Sequence, residues 1–389
     1  MKESNLKHYM KIGILTQPLQ TNYGGLLQNW ALQTVLKKNG HDVETIVVKK
    51  ERSYFRKIAS SIKRRLVKMF FKPNDTTRYY PTEKEMSVIG QHTNKFTRKH
   101  ISHIIVRLST EDLTKWIEKN KYEALIVGSD QVWRPCYNSD LFLMYLNFAE
   151  SLNIKKLTYA ASFGASEWEY NDFQTSVCSR LIQQFNLVTV RESSGVELCK
   201  KYLRANATQV IDPTLLLDRS EYEKLIVDES AKSNNADLFY YILDPCEEKL
   251  SIINNISTTM HFSAFTVLPK YQAENRTQKT VWEHIDDCVY PPVSKWLSAF
   301  RDARMIVGDS FHCAVFSIIF NKPFWIINNQ ERGSARFDTL LKTFQLEDRL
   351  ISSNQTNVDW QQPIEWKVVN EIWNSERERC LTLLKSGLN

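Results

Sequence analysis

A chain of 389 residues is longer than one hydrophobic core usually organises, so two domains are expected. With 42% hydrophobic and 24% charged residues and only 11 glycines and 11 prolines, it is a folded globular protein, which excludes disordered and fibrous classes. The net charge of +7 is concentrated: residues 49–72 hold ten Lys and Arg against one acid, Glu51, a local +9 that leaves the remainder near −2. No nucleic-acid-binding surface spread over the molecule is therefore expected.

The N-terminal residues 1–10 are polar and lack the apolar core of a secretory signal, so a cytoplasmic location is expected. No apolar run reaches the roughly 18 residues that a spanning helix needs. Residues 11–16 (KIGILT) predict a buried strand, and 21–25 (TNYGG) a turn. Residues 26–39 place Leu26, Leu27, Trp30, Ala31, Val35 and Leu36 on one helix face, which Gly40 stops. A strand at 41–48 completes a β–turn–α–β unit, the start of a doubly wound sheet. No GxGxxG follows, so ordinary dinucleotide binding is unsupported.

In the basic segment 49–72, Phe55, Ile58, Ile62, Leu66, Met69 and Phe70 fall at helical spacing between the charges. Further strands are predicted at 121–127, 156–164, 187–191 and 209–211, with a helix at 192–203. A second alternation begins near Leu238, with strands at 238–243, 264–268, 305–307 and 323–327 and helices at 293–303 and 311–320. The domain change is expected near 212–219, and 369–385 predicts a last helix. The cysteines Cys136, Cys178, Cys199, Cys246, Cys288, Cys313 and Cys380 contain no CxxC pair and are odd in number, so reduced thiols without a zinc site are expected.

The sharpest local signal is residues 305–320 (MIVGDSFHCAVFSIIF), an apolar strand reaching a Gly-Asp-Ser-Phe-His turn from which a helix leaves. Ligands gather at the carboxyl ends of strands in open α/β sheets, and helix N-termini favour anions. Ser310 or Asp309 is expected to cap that helix, with Ser310 also a binding candidate. His312 is either a hydrogen-bonded structural imidazole or a catalytic one. Arg332 and Arg336 bracket Gly333 in the 328–337 loop, a pattern that suits phosphate or carboxylate. Arg191 ends an apolar strand and so either pairs or faces a cleft. Asn22, Tyr23, Gly24 and Gly25 occupy the first βα turn, where backbone approaches a ligand closely. Ser129, Asp130 and Gln131 lie at another strand end, with Asp130 a candidate base or only a helix cap.

Together these segments resemble the polysaccharide pyruvyl transferase family. The resemblance is carried by NYGGLLQNWALQ (22–33), ALIVGSDQVWRP (124–135), YAASFG (159–164), TVRESSG (189–195), DPTLLL (212–217), GDSFHCAVFSIIFNKPF (308–324) and ERGSARF (331–337). It implies an α/β fold of two Rossmann-like domains facing a cleft, like GT-B glycosyltransferases, with the last helix crossing back. The division expected is 1–212 on the acceptor side, 213–355 on the donor side and 356–389 as the returning helix.

The implied activity is transfer of a pyruvyl group from phosphoenolpyruvate to two hydroxyls of a sugar, giving a cyclic ketal without metal or cofactor. The expected acceptor is a galactose-type sugar in a glycan on a polyprenyl-diphosphate lipid, as in capsular and exopolysaccharide synthesis. His312 would act as the acid and Asp130 would accept a hydroxyl proton, while Arg191, Arg332 and Arg336 would hold the donor. Relatives carry Arg-Leu-His where this chain has Ser310-Phe311-His312, so Arg332 or Arg336 would replace the absent donor-binding arginine. The basic helix would hold the enzyme at anionic headgroups on the inner membrane face. Two other readings stand beside this one: a GT-B nucleotide-sugar glycosyltransferase, and a basic adaptor without catalysis.

Overall fold

A computed structural model describes residues 9–49, 81–138, 140–228, 237–271, 281, 283–328, 333–355 and 358–389. The basic helix expected over 49–72 lies outside these residues except for Lys49, and Arg332 lies outside them too.

The first half of the chain runs β1 (Lys11–Leu15), α1 (Tyr23–Lys38), β2 (Asp42–Val48), α2 (Glu83–Ile89), α3 (Gln91–His100), β3 (His103–Val106), α4 (Thr110–Lys119), β4 (Ala124–Val127), β5 (Lys155–Thr158), α5 (Asp172–Ile182), β6 (Thr189–Val190), α6 (Ser193–Leu198) and β7 (Thr208–Gln209). Its sheet is parallel in the order β3-β2-β1-β4-β5. Single bridges from Leu157 to Leu187 and from Ala161 to Val190 carry β5 on to β6. Ile12 and Ile14 of β1 and all of β4 (ALIV) are buried, as expected for central strands covered on both faces.

The second half runs α7 (Arg219–Asp228), β8 (Leu238–Tyr241), α8 (Glu247–Met260), β9 (Ala264–Phe265), α9 (Val293–Asp302), β10 (Met305–Gly308), α10 (Phe311–Ile319), β11 (Phe324–Ile327), α11 (Ala335–Phe344), β12 (Leu350–Ile351) and α12 (Trp366–Leu388). Its parallel sheet has the order β12-β11-β10-β8-β9. Strand order reverses between β1 and β4 in one sheet and between β8 and β10 in the other, and crevices form at such switch points.

The α1 helix begins at Tyr23, three residues before the apolar stripe. The expected turn at 21–25 is thus partly its first turn, because the Asn22 side chain accepts a hydrogen bond from Gly25 N and caps the helix. Gly40 follows the helix with φ +98°, a left-handed position that glycine fills without a Cβ clash.

The two halves share an apolar core. Tyr23 stacks on Trp296 at 5.4 Å between centroids and donates its hydroxyl proton to the Pro291 carbonyl at 2.7 Å. The α12 helix crosses back over the first half. Trp373 Nε1 donates to the Leu215 carbonyl at 2.7 Å, Arg379 to the Gln209 carbonyl at 3.0 Å, and Gly387 sits against Leu157 and Leu187. A Cβ on Gly387 would lie 2.7 Å from Leu187 Cδ2, so glycine permits this close docking.

Candidate active site

Both switch points empty into one cleft. The loop after β1 brings Asn22, and the loop after β4 brings Ser129, Asp130 and Gln131. Arg191 leaves β6, Asp212 lies between the sheets, and α10 and α11 supply His312 and Arg336.

Asp212 is the hub. Its carboxylate is 1% exposed, and Oδ2 accepts from Arg191 Nη1 at 2.9 Å and from Ser129 Oγ at 3.3 Å. The same oxygen faces His312 Nε2 at 3.6 Å, while Oδ1 accepts from Thr214 N and Oγ1. Burial alone would raise its pKa, but His312, Arg191 and the Thr214 N–H hold it well below the usual carboxylate range. The residue-by-residue reading gives Asp212 no role. Its one signal is an Asp-Pro-Thr run directly after a strand, inside a motif that carries the family resemblance.

Asp130 sits beside this hub in a left-handed conformation, φ +76°. Asp tolerates that region better than most residues, here with Gln131 N bonded to Oδ1 at 2.9 Å. Its Oδ2 accepts from Asn22 Nδ2 at 3.2 Å, so the helix cap also fixes the carboxylate. Burial pushes its pKa up, but Arg191, His312 and Arg336 outweigh burial and keep it lowered. Burial likewise opposes the charge on Arg191, yet Asp212, Asp130 and Glu192 raise its pKa.

Two guanidinium groups lie against the Phe311 ring, Arg191 at 4.3 Å and Arg336 at 5.8 Å from its centroid. Arg336 is buried on the first turn of α11, where the sequence predicts a loop. Burial and the neighbouring Arg191 lower its pKa to about 10. Among the described residues, Arg191 Nε is buried without a hydrogen-bond partner, and Arg191 Nη2 and His312 Nε2 make none either, standing 3.6 Å from Asp130 Oδ1 and Asp212 Oδ2. A narrow crevice of about 10 Å³, room for little more than one water molecule, is lined by Arg191, Asp212, Phe311, Arg336 and Thr339, while Asp130 and His312 do not line it.

Two helix starts frame the imidazole. His312 is the second residue of α10, and its Nδ1 lies so close to Gly24 of α1 that a Cβ there has no room. Gly24 is thus required by close approach, but to an imidazole. Ser310 N-caps α10 by position alone: its side chain makes no capping bond. Asp309 does not cap either, because its carboxylate turns back to Leu243 N, Asp244 N and Lys249 Nζ. Cys313 points away from the cleft and packs against Gly308.

Of the expected site residues, the cleft brings together Asn22, Gly24, Ser129, Asp130, Arg191, His312 and Arg336. Tyr23 packs between the halves: its ring is buried and its hydroxyl donates to the Pro291 carbonyl. Gly25 lies against the Asn22 side chain. Gln131 borders Gly164 and accepts from Arg134 Nη1 at 3.2 Å, on the rim. Glu192, unassigned from sequence, is buried and accepts from Ser162 Oγ, Phe163 N and Gly164 N, shaping the loop after β5.

The family model for polysaccharide pyruvyl transferase matches residues 22–331, which contain most of this cleft. The chain belongs to the polysaccharide pyruvyl transferase family. It is a transferase of polysaccharide pyruvylation. No curated protein sequence matches the chain. Among solved structures, it is similar to Arabidopsis thaliana UGT89C1 complexed with UDP-L-rhamnose, at 9% identity over 98% of this chain and 99% of that one, TM-score 0.52. A glycosyltransferase from Rickettsia africae ESF-5 aligns at 10% identity over 97% of each chain, TM-score 0.51. The glycotransferase of kitacinnamycin aligns at 9% identity over 98% and 100%, TM-score 0.50. These likenesses show the fold: two Rossmann-like domains in the GT-B arrangement.

No helix among the described residues is long and apolar enough to cross a membrane. No group of three or more His, Cys, Asp or Glu among them is placed to hold a metal ion.

Proposed function

We propose that this transferase moves the pyruvyl group of phosphoenolpyruvate onto two hydroxyls of a galactose-type sugar in a lipid-linked glycan. The observation that carries this reading is the pair of guanidinium groups on Phe311 beside His312, where buried donor atoms of Arg191 and His312 have no hydrogen-bond partner. A small ligand with a phosphate and a carboxylate supplies the acceptors that such donors need. Arg332 is a further candidate for the same anion. The acceptor is assigned to residues 1–212, the donor to 213–355, and 356–389 to the helix that ties the two.

His312 supplies the proton that the donor methylene carbon takes up, which makes C2 electrophilic. A first sugar hydroxyl adds to C2, phosphate departs with the donor C–O bond electrons, and a second hydroxyl closes the ketal. Of the two hydroxyl protons, one balances the new methyl group and the other leaves on phosphate. Asp130 is ionised at neutral pH and so is in the accepting form. Its low basicity suits it to a hydroxyl already losing its proton as it bonds to carbon. The basic segment 49–72 is assigned to an anionic membrane surface, at about 1 kcal/mol per well-placed Lys or Arg.

The donor is tested by thermal unfolding with phosphoenolpyruvate and, separately, with UDP-sugars. Saturable stabilisation by phosphoenolpyruvate is expected. Stabilisation by UDP-sugars alone would overturn the donor assignment in favour of a glycosyltransferase.

A further inference from the structure

We propose that Tyr137 is the stacking platform for the acceptor sugar ring, with the Gln17 and Gln131 amides beside it reading sugar hydroxyls. This rests on the pyruvyl-transfer reading and names the acceptor subsite of the same cleft.

The loop after β4 carries both parts. Asp130 opens it inside the cleft, and the 3-10 turn Pro135–Tyr137 ends it at the rim. The neighbouring aromatic rings are consumed by packing: Trp133 stacks on Tyr145 at 4.8 Å and meets Phe163 at a tilt at 5.2 Å, all three buried. Tyr137 alone of this group stands out, 47% exposed. An exposed tyrosine offers an apolar face with a polar hydroxyl, the combination that makes Tyr a frequent contact residue at binding surfaces.

Its support is built. The Arg134 guanidinium lies 5.5 Å from the Tyr137 centroid and is itself fixed by Glu169, with Nε at 3.2 Å from Oε2 and Nη2 at 3.1 Å from Oε1. A ring held this way loses little freedom when a ligand covers it. The amides are equally fixed. Gln17 Nε2 spends its two N–H groups on the Gln131 carbonyl at 3.0 Å and on Asn138 Oδ1 at 3.2 Å, and Gln131 Oε1 accepts from Arg134 Nη1 at 3.2 Å, which leaves Gln17 Oε1 and Gln131 Nε2 as the amide atoms for a sugar hydroxyl. Gln131 lies against Gly164, whose carbonyl presses on Gly333 of the opposite half, so this rim lies where the two domains meet. Tyr137 is also near enough to contribute to the electrostatic environment of Arg336.

The chemistry fits a pyranoside. One face of a galactose ring presents C3–H, C4–H and C5–H, an apolar patch that aromatic rings cover, while its hydroxyls radiate outward to paired donors and acceptors.

Saturation-transfer NMR on the full chain with methyl β-galactoside, methyl β-glucoside and methyl β-mannoside tests this. These probes carry no aromatic group of their own. Wild type is expected to transfer saturation chiefly to H3, H4 and H5 of the galactoside. Tyr137→Phe should retain the transfer, and Tyr137→Ala should weaken binding roughly tenfold. Unaltered binding in Tyr137→Ala, or no transfer from wild type to any of the three, overturns the subsite. Thermal unfolding of each variant checks folding. Stabilisation by phosphoenolpyruvate, read separately, judges the donor assignment independently of the sugar result.

Discussion

Two buried ion pairs sit at the carboxyl ends of the two sheets, and they differ in what they leave open. In the second half, Asp309 accepts from Lys249 Nζ at 2.7 Å and from the N–H groups of Leu243 at 2.6 Å and Asp244 at 3.1 Å. Lys249 also donates to the Asp244 carbonyl. That pair is a brace that fixes the loop after β8. Between the halves, Asp212 holds Arg191 Nη1 at 2.9 Å, but Arg191 Nε is buried without a hydrogen-bond partner, and Arg191 Nη2 and His312 Nε2 stand 3.6 Å from Asp130 Oδ1 and Asp212 Oδ2, close enough to pair by charge but not to hydrogen-bond. A closed pair is structure. One with an unsatisfied buried donor, beside a second guanidinium and an imidazole, has the chemistry that the proposed anionic donor needs.

Removing one member of each pair separates the two roles. His312→Ala is expected to lower kcat for phosphate release from phosphoenolpyruvate by about 1,000-fold, within the range for a general acid, with the unfolding temperature near wild type. Unchanged turnover removes His312 from the chemistry. Lys249→Met should do the reverse. It strands a buried carboxylate and should cost about 3–5 kcal/mol in urea unfolding, with kcat per folded molecule unchanged. A large loss of kcat without loss of stability would place Lys249 in the site.

Arg336→Ala is expected to raise the phosphoenolpyruvate KM by about 10–100-fold, the worth of a charge-assisted hydrogen bond, with a smaller change in kcat. Equal KM values would leave donor binding to other residues. The smallest effect concerns acid. Asp212 and Asp130 both have folded-state pKa values lowered below the ordinary carboxylate value of about 4. Their stabilising contribution is therefore complete above that value and is lost as pH falls toward the folded-state values. Asp212→Asn should unfold at lower temperature than wild type at neutral pH, with the gap narrowing below about pH 4. A gap constant down to pH 3 would mean that Asp212 stabilises by shape alone.

Much of this was legible in the sequence. The apolar runs of β1, β4, β10 and β11 mark buried parallel strands, and the strand–turn–helix at 305–320 marks the site, because burial on both faces leaves an unbroken hydrophobic signature. The helices α2 and α4 are not among the expected elements. Their starts are marked by caps, Thr82 with Glu85 and Ser109 with Asp112, which are weaker signals than a long apolar stripe. Tyr23 reads as part of a turn because helix start and turn look alike until the Asn22 cap is seen, and the ring then turns into the core. Asp212 was invisible as a hub because its partners Arg191, Ser129 and His312 are far apart in sequence, and only the fold makes them neighbours.

A pyruvyl-transfer site built across two domains makes a product that mass spectrometry identifies. Its most direct test incubates the protein with phosphoenolpyruvate and a panel of lipid-linked and simple galactosides, with mass spectrometry of the sugar. A product heavier by one pyruvate less one water, formed with stoichiometric phosphate and lost in His312→Ala, is expected. A sugar panel left unmodified while UDP-sugars donate a glycosyl group would contradict it.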